Sequence, residues 1–188
     1  MSATADTLVE TDLERRFLEE LRSATGEVDG PMERHCVRCF LFVELLAARR
    51  GVPIDRGLAL CAALVHDIGL YPSVSHGGVY TDEGGELAER IFIEAGESAR
   101  RAELIRDACA QHHALRDQSD RGAEVELMRM ADRIELSSGL LRAGLDRGQV
   151  RDVFARVSRR GTYRVIAGLV GHALLERPLT VPRIFKAA

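Results

Sequence analysis

The stretch Leu58-Ala59-Leu60-Cys61-Ala62-Ala63-Leu64-Val65-His66-Asp67-Ile68-Gly69 decides the fold. Its apolar run, residues 58–65, is far shorter than the roughly 20 residues that a bilayer span needs. It reads instead as a helix that opens after Pro53, takes Asp55 as its N-cap and ends at the His66-Asp67 pair. Gly69 and Pro72 stop it.

Helical punctuation continues on both sides. Towards the N-terminus, Pro31 is a favoured first helical residue and Gly51 a favoured C-terminal cap, which predicts a helix between them. Before it, Thr11 with Glu14 three residues on forms a capping box for a helix through Leu13, Phe17, Leu18 and Leu21. Towards the C-terminus, residues 71–80 hold a proline, adjacent glycines and His76, the composition of an ordered loop or lid. Thr81 or Asp82 is the expected cap of the next helix, which runs to Gly96. Ser98 is the expected cap of another that carries His112 and His113. Residues 118–122 form a polar break, and helical patterns resume over 124–136, 149–159 and 162–176, with an extended tail from Pro178. No alternating strand pattern and no internal repeat occurs. The expectation is an all-α protein, residues 1–188 forming one domain.

Composition narrows the function classes. The 188 residues carry 46% hydrophobic and 29% charged residues and a net charge of -3, which argues against nucleic acid or an anionic membrane as the main partner. Residues 1–10 lack the basic start and apolar stretch of a signal peptide. Cys36, Cys39, Cys61 and Cys109 lie in helix-like stretches, as reduced, buried thiols of a cytoplasmic protein do. Cys36 and Cys39 make a Cys-x-x-Cys, but Cys61 and Cys109 add no second pair at zinc-finger spacing. The expected partner is a small-molecule substrate, and a homo-oligomer is compatible with the composition.

The chemistry-bearing residues sit at helix ends. Imidazole and carboxylate together suit Zn, Mn, Fe, Co or Ni. Neighbouring helical residues point about 100° apart, so His66 and Asp67 reach one ion only if it lies off the helix end, where Gly69 turns the chain. His35 shares the inward stripe of Cys39, Phe42 and Leu46. Asp132 is flanked by apolar residues, and a carboxylate there is costly to bury unless paired or metal-bound. Arg38, one turn after His35, and Arg133, beside Asp132, are candidates to face an anionic substrate, as is His76 in its loop.

The order His35, His66-Asp67-Ile68-Gly69, His112-His113, Ala131-Asp132 resembles the HD-domain superfamily of metal-dependent phosphohydrolases, over residues 32–136. The resemblance implies a compact bundle with a five-helix core and added N- and C-terminal helices. It also implies that His35, His66, Asp67 and Asp132 hold one divalent metal. Dinuclear members use further histidines for a second ion. This sequence has Tyr80 to Gly84 where one of those would stand, so a single ion is expected unless His76 swings in. Asp67 is then expected to orient water, and His112 or His113 to give a proton. The implied function is hydrolysis of a small phosphorylated molecule such as a nucleotide, by attack of metal-activated water. Leu70 stands where many phosphate-processing members carry lysine, and residues 81–92 are similar to cyanamide hydratases. Hydration of a small uncharged molecule is therefore an alternative, as are a di-iron oxygenase and a non-catalytic ligand-binding module. A small cavity poor in arginine would favour the hydratase.

Overall fold

The structure is a computed structural model that describes residues 3–185, apart from the side chains of residues 181 and 182. The expectations for residues 1, 2 and 186–188 lie outside it.

Local signals place most helix ends. After a short α1 (Ala5–Leu8), Thr11 and Glu14 close the capping box that opens α2 (Asp12–Thr25), which left-handed Gly26 ends. Pro31 starts α3 (Pro31–Arg50), closed by Gly51 at φ 64. Asp55 accepts a hydrogen bond from Leu58 N at 3.0 Å and opens α4 (Arg56–Val65), followed by a 3-10 turn, Ile68–Leu70. Then come α5 (Tyr80–Glu94), α6 (Ala99–Ala110) and α7 (Ala123–Leu136). The chain continues through α8 (Arg147–Arg156), α9 (Thr162–Glu176) and α10 (Val181–Ile184). Among the described residues there is no strand.

Helix α4 is the axis. Every residue from Leu58 to Val65 is buried, because α2, α3, α5, α6 and α7 all pack against it. A helix apolar on every side is stable in water only when so enclosed. One apolar core runs from Ala3 to Val157, with Val165, Ile166 and Leu169 of α9 packed on it. Cys36, Cys39, Cys61 and Cys109 are free thiols inside that core. No described helix is long and apolar enough to cross a membrane.

Gly69 has a steric reason. A Cβ there would stand 2.1 Å from the Tyr80 carbonyl oxygen, so only glycine lets the 3-10 turn meet the start of α5.

Four expectations are corrected. Helix α5 starts at Tyr80 after Val79, and Thr81 is fully buried inside it rather than capping it. Helix α6 stops at Ala110, so His112 and His113 lie beyond its end. An Asp146 and Gln149 capping box starts α8 at Arg147, and Val157 is already extended, ending it before Arg159. From Pro178 the described residues form a turn and the short α10 rather than an extended tail.

Candidate metal centre

Three elements deliver the four expected ligands to one point. His35 comes from near the start of α3 and Asp132 from the inner face of α7. His66 is the C-cap of α4, and Asp67 has already left helical geometry at φ -102, ψ 3. That break lets two sequence neighbours aim at the same place. His35 Nε2 lies 3.1 Å from His66 Nε2, 3.5 Å from Asp67 Oδ2 and 3.7 Å from Asp132 Oδ1. His66 Nε2 lies 3.5 Å from Asp67 Oδ2 and 3.9 Å from Asp132 Oδ1.

These separations fit a divalent cation. Donors about 2.1 Å from an ion stand about 3.0 Å apart at right angles and about 3.4 Å apart at the tetrahedral angle. Without a cation the arrangement is unfavourable. Asp67 Oδ1 and both oxygens of Asp132 are buried with no hydrogen-bond partner, and such groups are costly to leave unpaired. The tautomers agree. His66 Nδ1 sits 2.9 Å from the Ala63 carbonyl, which can only accept, so the ring proton belongs on Nδ1 and Nε2 presents its lone pair. Burial pushes the His66 pKa down to about 3, which keeps it neutral as a ligand must be.

A second tier adjoins the first. His112 Nε2 lies 3.4 Å from Asp67 Oδ1, and His113 Nδ1 lies 3.3 Å from Asp132 Oδ2. Each carboxylate therefore turns one oxygen to the His35–His66 side and the other to the His112–His113 side. The Cys109 carbonyl, 2.6 Å from His112 Nδ1, fixes that ring with Nε2 facing the carboxylate. Three groups among the described residues are spaced to hold an ion: His35, Cys39, His66 and Asp132; His66, Asp67 and His112; and His112, His113 and Asp132. His76 joins none of them: it is exposed on a groove with Arg16, Glu20 and Glu94.

The residues expected to contact substrate have partners within the protein. Arg38 is fully buried and gives its guanidinium to Glu135, to the Ser158 carbonyl and to Thr162 Oγ1. Arg133 donates to the Ala114 carbonyl at 2.7 Å and so holds the loop after His113. His76 gives its backbone N–H to Glu83 and lines a different groove from the cavity beside the His/Asp cluster.

The cavity beside the cluster has a volume of about 110 Å³. Leu70, Tyr80 and His113 form its inner wall, and Val170, Ala173 and Phe185 its outer wall. Arg177 also lines it and stands 3.7 Å from Glu83.

Three further neighbours adjoin the cluster: Tyr80 and Glu135, to which the sequence reading assigned no role at the site, and Cys39, which shares the stripe of His35. Tyr80 is buried, its ring 6.1 Å from His112 and 6.2 Å from His113. Burial, with Asp67 and Asp132 adding, pushes its phenol pKa well up, so it stays an O–H donor. Glu135 Oε2 lies 3.0 Å from His35 Nδ1. It sits three residues after Asp132, the helical spacing that shares a face, and that was the available signal. Cys39 Sγ lies 3.8 Å from His35 Nε2. Burial pushes its pKa up to about 12, and its sulfur shares ligand spacing with His35, His66 and Asp132.

The family model described as HD domain matches residues 32–137. No curated protein matches the chain.

Proposed function

This chain belongs to the HD-domain family, and from that premise we propose that it is a metal-dependent enzyme that directs water onto a small molecule. One observation carries the reading: the Nε2 atoms of His35 and His66 stand 3.1 Å apart, each within 3.9 Å of a carboxylate oxygen of Asp67 and of Asp132, and Asp67 Oδ1 and both Asp132 oxygens are buried with no hydrogen-bond partner. His35, His66, Asp67 and Asp132 would hold one divalent ion of the zinc, manganese, iron, cobalt or nickel class. Such an ion supplies Lewis acidity, making water acidic enough to attack at neutral pH.

The chain's own residues supply the remaining steps. Asp67 spans both tiers and orients the attacking water through its second oxygen. His112 Nε2, beside that oxygen, accepts a proton there. His113 is the most open of the site histidines, 19% exposed at its side chain, and lines the cavity, where it can hand a proton to a leaving group or a nascent anion. Tyr80 closes the same wall as an O–H donor.

The cavity favours a small substrate of low charge. Its volume of about 110 Å³ is well below the roughly 300 Å³ at which drug-sized ligand pockets begin. Arg38 and Arg133 are spent on internal partners, and Arg177 is offset by Glu83. Hydration or hydrolysis of an uncharged electrophile of nitrile or amide size suits these walls. Phosphoester hydrolysis, the chemistry associated with the family, is the second reading and requires a phosphate that binds through the ion alone.

The test is purification without chelator, a metal count per chain, and a turnover screen over nitriles, small amides, phosphomonoesters and phosphodiesters. Metal-dependent turnover of the uncharged set supports the first reading, and turnover of the phosphates the second. Two ions per chain would redirect attention to di-iron oxidation. Turnover that persists after metal removal overturns both readings.

A further inference from the structure

Three ring nitrogens in the centre are fixed from behind, and one is fixed differently. His66 and His112 follow the ends of α4 and α6, where the last helical carbonyls have no N–H partner of their own. Each ring uses the carbonyl three residues back, Ala63 or Cys109. His35 lies inside α3, as its fifth residue, where the carbonyl three residues back is taken by the helix's own N–H ladder. Its Nδ1 needs a tertiary partner, and Glu135 Oε2, a buried oxygen that no other group satisfies, is there at 3.0 Å.

Glu135 is in turn anchored at its other oxygen. Arg38 Nε donates to Glu135 Oε1 at 2.8 Å, and Arg38 Nη2 also reaches that oxygen. Arg38 Nη1 donates to the Ser158 carbonyl at 2.7 Å and Nη2 to Thr162 Oγ1 at 3.0 Å. Thr162 Oγ1 donates to the Pro31 carbonyl at 3.2 Å, at the start of the helix that carries His35. His35, Arg38, Glu135 and Thr162 are all 0% exposed. A buried ion pair adds little stability over an apolar pair of similar volume, so packing alone gives no reason for this one.

We propose that Glu135 is a positioning residue for the metal centre: it holds His35 with its proton on Nδ1 and its Nε2 lone pair towards the ion, while Arg38 clamps Glu135 to the α8–α9 junction. This rests on the metal reading above. A carboxylate behind a ligand imidazole fixes its tautomer and strengthens it as a donor, and loss of such a partner weakens metal affinity about 10–100-fold.

The test is zinc titration of the purified full-length chain, with helix content followed by circular dichroism. Glu135→Leu is expected to weaken zinc binding about 10–100-fold. Glu135→Gln keeps an oxygen that accepts from Nδ1 and is expected to recover part of that loss. The double variant Arg38→Met with Glu135→Leu replaces the buried pair with apolar groups, which restores folding but not affinity. Wild-type zinc affinity in the double variant would show Glu135 to be only the counter-charge of Arg38, and overturns the proposal. Zinc-loaded wild-type protein, needing no substitution, gives an independent reading by long-range 15N–1H spectra of the histidine rings. The proton of His35 is expected on Nδ1; a proton on Nε2 overturns the proposal. Wild-type protein that binds no zinc, manganese, iron, cobalt or nickel refutes the metal reading itself, a result distinct from binding that ignores Glu135.

Discussion

At the scale of single residues, an expected ligand is marked by what its side chain lacks inside the protein. Asp132 has two buried oxygens and no hydrogen-bond partner for either, whereas Glu126, on the same helix, is matched by Arg129. His66→Ala or Asp67→Ala should therefore lower metal affinity by more than about 100-fold, beyond the loss of an outer partner, and turnover should fall with metal content in the same preparations. Arg38 makes the contrasting case. Arg38→Ala leaves Glu135 buried and uncompensated, which should cost about 3–5 kcal/mol, measured as a lower urea midpoint. The convergence of His35, His66, Asp67 and Asp132 was legible in the sequence because each is tied to a local event: a helix start, a helix end, an inward stripe. The destination of Arg38 was not. Helical spacing places it one turn from His35, but its direction is set by Glu135, far along the chain on another helix.

At the scale of elements, Glu83 organises the segment between the 3-10 turn and α5. It accepts from the backbone N–H groups of His76 and Gly78, each at 2.7 Å, and from the Ser75 hydroxyl at 2.8 Å. Burial alone would raise its pKa, but these donors hold it below the usual carboxylate value. With the folded value depressed, its contribution is complete above the unfolded pKa of about 4.5 and is lost as pH falls through the lower folded value. Amides of residues 76–78 should exchange faster as pH drops below about 4, after correction for intrinsic rates, and Glu83→Gln should weaken that protection already at neutral pH. Helix ends with a side-chain signal, at Thr11, Pro31, Asp55 and Ser98, were legible. The end of α6 was not: no glycine or proline follows Ala110, and the chain leaves the helix at Gln111 to bring His112 against Asp67. A tertiary demand overrode local propensity there.

At the scale of the whole molecule, the proposed function makes the C-terminal segment the part that sets substrate size. Val170, Ala173 and Phe185 close a cavity whose other wall belongs to the HD core, and Phe185 stands 6.1 Å from the His113 ring. Phe185→Ala should enlarge the cavity and shift turnover towards bulkier substrates, read as a change in relative kcat/KM across a size series while metal content stays constant. The sequence reading included these helices in the domain but assigned them no part in the site, because their contribution comes from packing across the core.

The four enclosed cysteines have a practical consequence. They are spread over α3, α4 and α6, and burial keeps each thiol protonated at neutral pH. A maleimide can reach them only when the surrounding helices part. Labelling rates, resolved by peptide mass, therefore time the opening of each helix without any added probe. Cys39 lies against His35, so its label should appear more slowly once zinc is bound, while labelling of the more distant Cys61 registers only the global component.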